Sequence, residues 1–256
     1  MQCLRLKHIL QACKSSARIH KQRAKSGQAS DMGMKSYWDA FYRSRRPRDL
    51  GDSNCFEWFF PYSETKDVFQ SALATVAEKL PGNDFSLIRI AELGCGTSEL
   101  SMELVQDHQS SCCITCVDFS TAALEHNQKN VKSNARFHGS VAGHLAYVAA
   151  DVCHLPFSEN SFDLVFEKGT MDALLKSENT RPKSDQFLLE AIRVLRPGGM
   201  FLQFSDEAPE LRLDLLERMK SQLWQRENKH ISVSFKNISH NDALEYFVYT
   251  VQYGKM

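Results

Sequence analysis

Four apolar runs in this chain lead into a carboxylate, at Glu92, Asp118, Asp151 and Glu167. The first run, Leu87-Ile-Arg-Ile-Ala-Glu92, continues into Leu93-Gly94-Cys95-Gly96-Thr97. Gly94 and Gly96 lack a Cβ, so the backbone there can come close to a ligand. The second run, Ile114-Thr-Cys-Val-Asp118, follows about two dozen residues later. A Gly-x-Gly turn after one strand and an acid at the end of the next describe a nucleoside pocket, the acid accepting hydrogen bonds from two ribose hydroxyls. Cys95 fits the turn as a small side chain rather than as a catalytic thiol.

A nucleotide bearing phosphates fits this pattern poorly. A dinucleotide fingerprint needs a third glycine where this chain has Glu99. A glutamate beside a pyrophosphate at a helix N-terminus is repulsive. A ligand carrying positive charge suits the acidic surroundings better.

The elements that must position these groups alternate. Residues 65–79 read as a helix with Val68, Ala72, Leu73, Val76 and Leu80 on one side, stopped by Pro81-Gly82. Strands are expected at 87–93, 113–118, 146–151, 162–167 and 200–205. Helices are expected from about Ser98 to Gln106, from an N-cap at Ser120, around 184–195 before Pro197-Gly198-Gly199, and from Glu210 to Gln222. Two strand candidates, 229–235 and 245–253, close the chain. This order implies an α/β fold, a Rossmann-like, doubly wound and mostly parallel seven-stranded sheet with an antiparallel C-terminal edge.

Composition sets the organisation. The chain has 256 residues and 43% hydrophobic content, enough for one substantial core. Residues 1–30 hold seven basic residues and no Asp or Glu, which leaves 24 basic against 31 acidic residues, a net charge of −7, in the rest. An acidic body disfavours unspecific nucleic-acid binding. The leader is rich in Arg, Lys and Ser, and Leu6, Ile9, Leu10 and Cys13 fall on one helical stripe. It reads as a mitochondrial transit peptide, with a basic tail as the alternative. No stretch is apolar enough to read as a membrane span. The expected divisions are therefore 1–30 as leader, 31–84 as an aromatic-rich helical segment packing on the core, and 85–256 as the catalytic core. Cys112, Cys113 and Cys116 read as core residues of a strand, and His108, His126, His138, His144 and His154 lack metal spacing. No metal is expected.

Taken in order, Glu92-Leu-Gly-Cys-Gly-Thr97, Asp118, Ala150-Asp151, Phe162-Asp-Leu-Val-Phe-Glu167 and Arg193-Val-Leu-Arg-Pro-Gly-Gly199 resemble the seven-stranded S-adenosylmethionine-dependent methyltransferases over roughly residues 85–206. The resemblance implies S-adenosyl-L-methionine as cofactor. Its methionine end falls to Glu92, Gly94, Cys95, Gly96 and Thr97, its ribose to Asp118 and its adenine to Asp151, with Phe119, Val152, Glu167 and Trp58 as further contacts. Phe166-Glu-Lys-Gly-Thr-Met-Asp-Ala173, the Trp58-Phe59-Phe60 segment and Gln203-Phe-Ser-Asp-Glu207 are similar to a narrower branch of protein-lysine methyltransferases. That branch includes enzymes acting on mitochondrial citrate synthase and others acting on elongation factor 1A; the last two strings and the leader favour the former. Met171 stands where relatives often carry an aromatic.

This likeness implies methyl transfer to a lysine of citrate synthase in the mitochondrial matrix, with Glu167 and Asp206 as the carboxylates that meet the amine. Glu167 pairing with Lys168 or the backbone is the competing reading. Asp172 is expected to brace its helix, and Asp163 to be a structural hydrogen-bonder. Trp58, Phe59, Phe60 and Tyr62 are expected to cover the cofactor or to pack as core. Elongation factor 1A as the substrate in the cytosol, or a non-catalytic binder of the cofactor, are the alternatives.

Overall fold

The computed structural model describes residues 32–44, 55–79, 87–108, 111–137, 141–176, 178–227, 229–239 and 244–254. The basic leader, most of the loop 43–54, the helix stop at Leu80, Pro81 and Gly82, and His138 lie outside the described residues.

Seven strands form one sheet: β1 (Ile88–Leu93), β2 (Cys112–Asp118), β3 (Leu145–Ala149), β4 (Phe162–Lys168), β5 (Leu195–Ser205), β6 (Ile231–Asn237) and β7 (Phe247–Tyr253). Their spatial order is β3-β2-β1-β4-β5-β7-β6. The first five strands pair in parallel, and β7 runs antiparallel between β5 and β6. The terminal pair is thus an insertion that leaves β6 as the outer strand. The strand order reverses between β1 and β4, which opens a crevice beyond their carboxyl ends.

Alternation along the strands divides the core. Ile90, Ile114, Leu164, Phe166 and Leu202 face a layer made by α2 (Lys66–Ala77), α3 (Leu100–His108) and α4 (Thr121–Ser133). Ala91, Leu93, Val117, Val165 and Phe201 face α5 (Thr170–Lys176), α6 (Ser184–Val194) and α7 (Pro209–Glu227). Buried on both sides, β4 is continuously apolar except for Asp163, Glu167 and Lys168. Asp163 receives the Arg89 N–H at 2.7 Å and an ion pair from Arg196 at 2.7 Å, which ties β4 to β1 and β5. Cys112 and Cys116 are core residues, whereas Cys113 is half-buried.

Two local expectations are corrected. Pro197-Gly198-Gly199 does not end α6; that helix stops at Val194 because Leu195 is already extended, and β5 starts there. The Pro-Gly-Gly lies inside β5 at a shift in register, Leu195 pairing with Phe162 and Met200 with Leu164. Gly199 is needed at this point, since a Cβ would sit 2.7 Å from the Asp163 carbonyl oxygen. Ser120 occupies the N-cap position of α4, yet its hydroxyl makes no capping bond and instead donates to Asp39 Oδ1 at 2.6 Å. Asp39 belongs to α1 (Lys35–Ser44), so this bond fastens the N-terminal helix to the end of β2.

Candidate active site

A cavity of about 270 Å³ opens at the carboxyl ends of β1, β2 and β4. Glu92, Gly94, Cys95, Gly96, Thr97, Asp118, Phe119, Asp151, Val152 and Trp58 all line it. The turn after β1 is held by two hydrogen bonds, from the Gly94 and Cys95 N–H groups to the Val117 carbonyl, at 2.8 and 3.0 Å. Gly96 has a φ of +52°, and a Cβ there would lie 2.6 Å from Tyr42 Oη. Only glycine meets both the backbone and the space requirement.

Asp118 is buried and already engaged by the backbone. Its Oδ2 accepts from Gly96 N–H and its Oδ1 from Ser120 N–H, both at 2.8 Å. Those bonds aim the carboxylate at the cavity and leave each oxygen able to accept once more. Desolvation outweighs them and pushes the carboxyl up to about 6. Glu92 is 2% exposed. Burial lifts its carboxyl to about 8, against the pull of a 2.5 Å hydrogen bond from Ser101 and of the Lys168 ammonium. Two buried acids whose charged forms are penalised make a site that a cation would complete. Glu99 points elsewhere, into a salt bridge with Arg136 at 3.2 Å. Asp151 turns one oxygen to the Cys153 N–H at 2.9 Å.

An N-terminal strap closes the cavity. Phe56 N–H donates to Thr97 Oγ1 at 3.2 Å, and Glu57 accepts from the Glu99 N–H at 2.8 Å. The other Glu57 oxygen pairs with the buried Lys168 ammonium, which also donates to the Phe60 carbonyl at 2.8 Å. Trp58 lies against Gly169, whose φ is +80° and whose Cβ would be 2.2 Å from Trp58 Cδ1. Trp58 packs edge-on against Trp38 and Phe56. Of the rings expected over the cofactor, Trp58 alone lines the cavity; Phe60 and Tyr62 pack in the core, and Phe59 lies partly buried beside them.

Glu167 and Asp206 are not among the residues lining this cavity. Glu167 is 0% exposed and on the opposite face of β4 from Lys168. Its Oε2 accepts the N–H groups of Thr170 and Met171 at 2.7 and 3.3 Å, holding the start of α5. Its acidity is lowered by burial and then by the nearby Asp172. Asp172 accepts from Arg212 Nη2 and from Ser205 Oγ, each at 2.7 Å. Asp206 lies just beyond β5 on an exposed stretch. Crowding by surrounding protein, and then Asp172, raise its carboxyl, while Lys176 pulls it down. The Lys176 ammonium stands 5.8 Å from the Trp58 ring centroid.

Sequence reasoning missed the contributions of Met32, Trp38, Tyr42, Phe56 and Lys168 to the lining. Trp38 and Tyr42 reach the lining from a helix far in sequence from the strands that form the cavity, so no local spacing places them there.

A methyltransferase-domain family model matches residues 91–203. Among curated relatives, the chain is 33% identical to the mitochondrial citrate synthase-lysine N-methyltransferase of Danio rerio, covering 82% of this chain and 81% of that one. It is 31% identical to the Homo sapiens enzyme of that name, covering 84% of each. It is 30% identical to EEF1A lysine methyltransferase 4 of Bos taurus, covering 86% of this chain and 75% of that one. Among solved structures, a Leishmania major S-adenosylmethionine-dependent methyltransferase matches with a TM-score of 0.55 at 12% identity, over 85% of this chain and 82% of that one. The [4+2]-cyclase SpnF matches at 0.51 and 15%, over 72% and 81%. Those two likenesses concern the fold alone.

Proposed function

Because the chain belongs to the S-adenosylmethionine-dependent lysine methyltransferases, we propose that it methylates a lysine of citrate synthase in mitochondria. The observation that carries this choice of substrate is the 31–33% identity to enzymes named for it, sustained over more than four-fifths of both chains. The composition of residues 1–30 supports the location.

The cavity chemistry fits the cofactor. Asp118 is the acceptor for the ribose hydroxyls, Glu92 the counter-charge for the amino group, and Asp151, Phe119 and Val152 the adenine contacts, with Trp58 as the cover. When bound, S-adenosylmethionine supplies an electrophilic methyl group on a cationic sulfur. The chain's own task is to present a neutral amine to it. With a reference pKa near 10.4, removing the lysine proton at pH 7.5 costs about 4 kcal/mol. Alignment in a closed apolar site supplies much of the remaining acceleration. We assign the amine-facing carboxylate to Asp206, on the exposed stretch just past the carboxyl end of β5. Glu167 is assigned a positioning role, through α5 and the Gly169–Thr170 turn.

The test incubates the chain, cofactor and folded citrate synthase and maps methylated lysines by mass spectrometry. Modification of one lysine supports the reading, and an unmodified protein sinks it. The resemblance to EEF1A lysine methyltransferase 4 favours elongation factor 1A as the second substrate to assay.

A further inference from the structure

The sheet's outer edge carries a surface that the cofactor site does not use. Leu211 in the first turn of α7 is 66% exposed, and Phe235 near the end of β6 is 47% exposed. Phe235 shares a face of β6 with Ile231 and Val233, the face turned toward α7. The Phe235 ring lies 6.1 Å from that of Tyr249, and Tyr249 Oη donates to the Glu207 carbonyl at 2.6 Å. The chain then turns through Ala208, whose carbonyl accepts the Leu211 N–H at 3.2 Å. Both apolar side chains therefore flank one turn.

Three acids surround that turn: Asp206, Glu207 and Glu210. None of them has an ion pair among the described residues. Arg212, the nearest cation in sequence, is buried and paired with Asp172. Lys236 falls on the other face of β6. Glu207 and Glu210 thus offer negative charge that no ion pair takes up among the described residues, beside two exposed apolar groups. The surface is level with the chemistry, since Ser205 at the end of β5 pairs with Phe247, and Phe247 with Asn237. It also connects to the cavity, since Ser205 at the end of β5 donates to Asp172 Oδ1 at 2.7 Å, and Thr170, Ala173 and Leu174 of that same helix line the cavity.

We propose that this surface docks the protein substrate, by a segment that brings a basic side chain to Glu207 and Glu210 and an apolar one to Leu211 and Phe235, and so delivers the target lysine to the cavity. The proposal rests on the lysine methyltransferase reading above. Exposed apolar anchors inside a polar rim are the arrangement that dominates protein association, and the rim charges set partner choice. A basic, partly apolar partner segment meets both requirements here. An acidic segment meets neither.

The test compares the wild-type chain with Glu210→Lys, Leu211→Ser and the double variant Leu211→Ser/Phe235→Ser. Methylation is measured against citrate synthase and elongation factor 1A, and S-adenosylhomocysteine affinity by calorimetry. For whichever protein the wild type modifies, KM should rise about tenfold or more in each variant. The turnover number should stay within about twofold, and homocysteine-cofactor affinity should not change. Glu210→Lys and Leu211→Ser alter exposed groups, so their folding is not at issue. An unchanged KM in those two single variants overturns the docking assignment while the methyltransferase reading stands. A wild-type chain that modifies neither protein overturns both.

Discussion

Glu92 ties cofactor binding to a proton. Burial penalises its charged form and pushes the carboxyl up to about 8. The groups facing it are Ser101 and Lys168, which favour ionisation, and Glu57 and Asp118, which oppose it. A ligand that places an ammonium beside Glu92 favours the ionised form, so binding below pH 8 must release a proton. The sign follows: affinity rises with pH and levels off above the free-protein value. If the ionised form alone binds, the competent fraction is about 3% at pH 6.5 and about half at pH 8. The dissociation constant of S-adenosylhomocysteine should then fall about 16-fold over that interval, or about 1.6 kcal/mol. This product lacks the sulfonium, so its amino group is the charge being read. Asp118, pushed up to about 6, is about three-quarters ionised at pH 6.5, so its own titration adds only about 1.3-fold over this interval. Calorimetry in two buffers of different ionisation enthalpy counts the protons released, close to one at pH 6.5 and about half at pH 8. Glu92→Gln, which stays neutral, should remove the dependence and bind at every pH more weakly than the wild type does at pH 6.5. A constant affinity across the interval with no proton release refutes the placement of the ligand's ammonium at Glu92. The same linkage acts on the ligand-free fold: a carboxyl raised above its unfolded value near 4.5 removes stability as pH climbs from there through about 8.

Two further perturbations address other parts of the molecule. Asp118→Ala removes an acceptor for two hydroxyls and should weaken S-adenosylhomocysteine by about 3 kcal/mol or more, at least 100-fold, with an unchanged far-ultraviolet circular dichroism spectrum; tight binding by that variant defeats the ribose assignment. Arg212→Met leaves Asp172 buried without its partner, and should lower stability by about 3–5 kcal/mol and the melting temperature by about 10 °C in calorimetry. A shift of under about 2 °C means that the buried carboxylates are already neutralised by protons.

The cavity lining from the strand ends is legible in the sequence because its determinants are local. Each of Glu92, Asp118 and Asp151 follows an apolar run by a residue or two, and a doubly wound sheet delivers the ends of such runs to one crevice. The catalytic half was less legible. Sequence spacing puts Glu167 at the end of β4, and alternation puts it and Lys168 on opposite faces, but which face meets the cavity depends on where the helices lie. Glu167 falls on the α5 side, where two N–H groups at the start of that helix take one of its oxygens. Lys168 falls on the cavity side and meets Glu57, more than a hundred residues earlier. Likewise, Ser120 has the right type and position for a cap, but Asp39 from a distant helix competes for its hydroxyl.

The strap explains why the aromatic segments before residue 63 resisted assignment. Tyr37, Trp38, Phe41 and Tyr42 fall at helical spacing on α1, whereas the rings of residues 56–60 follow no period and are placed by contacts with the ends of β4 and α3. Trp58 needs the missing Cβ of Gly169, Phe56 needs the Thr97 hydroxyl, and Glu57 needs both the start of α3 and the Lys168 ammonium. Phe59 sits within this run at a φ of +64°, a left-handed conformation that a bulky residue rarely adopts. Such a residue costs about 1–3 kcal/mol and persists where its surroundings over-determine it. Here the flanking anchors do so: Trp58 is fixed on one side by Gly169, and on the other the Phe60 carbonyl is held by Lys168. Lys168 therefore links the strand that ends at the cavity to the segment that covers it, and covering the cavity and burying this lysine rest on the same contacts.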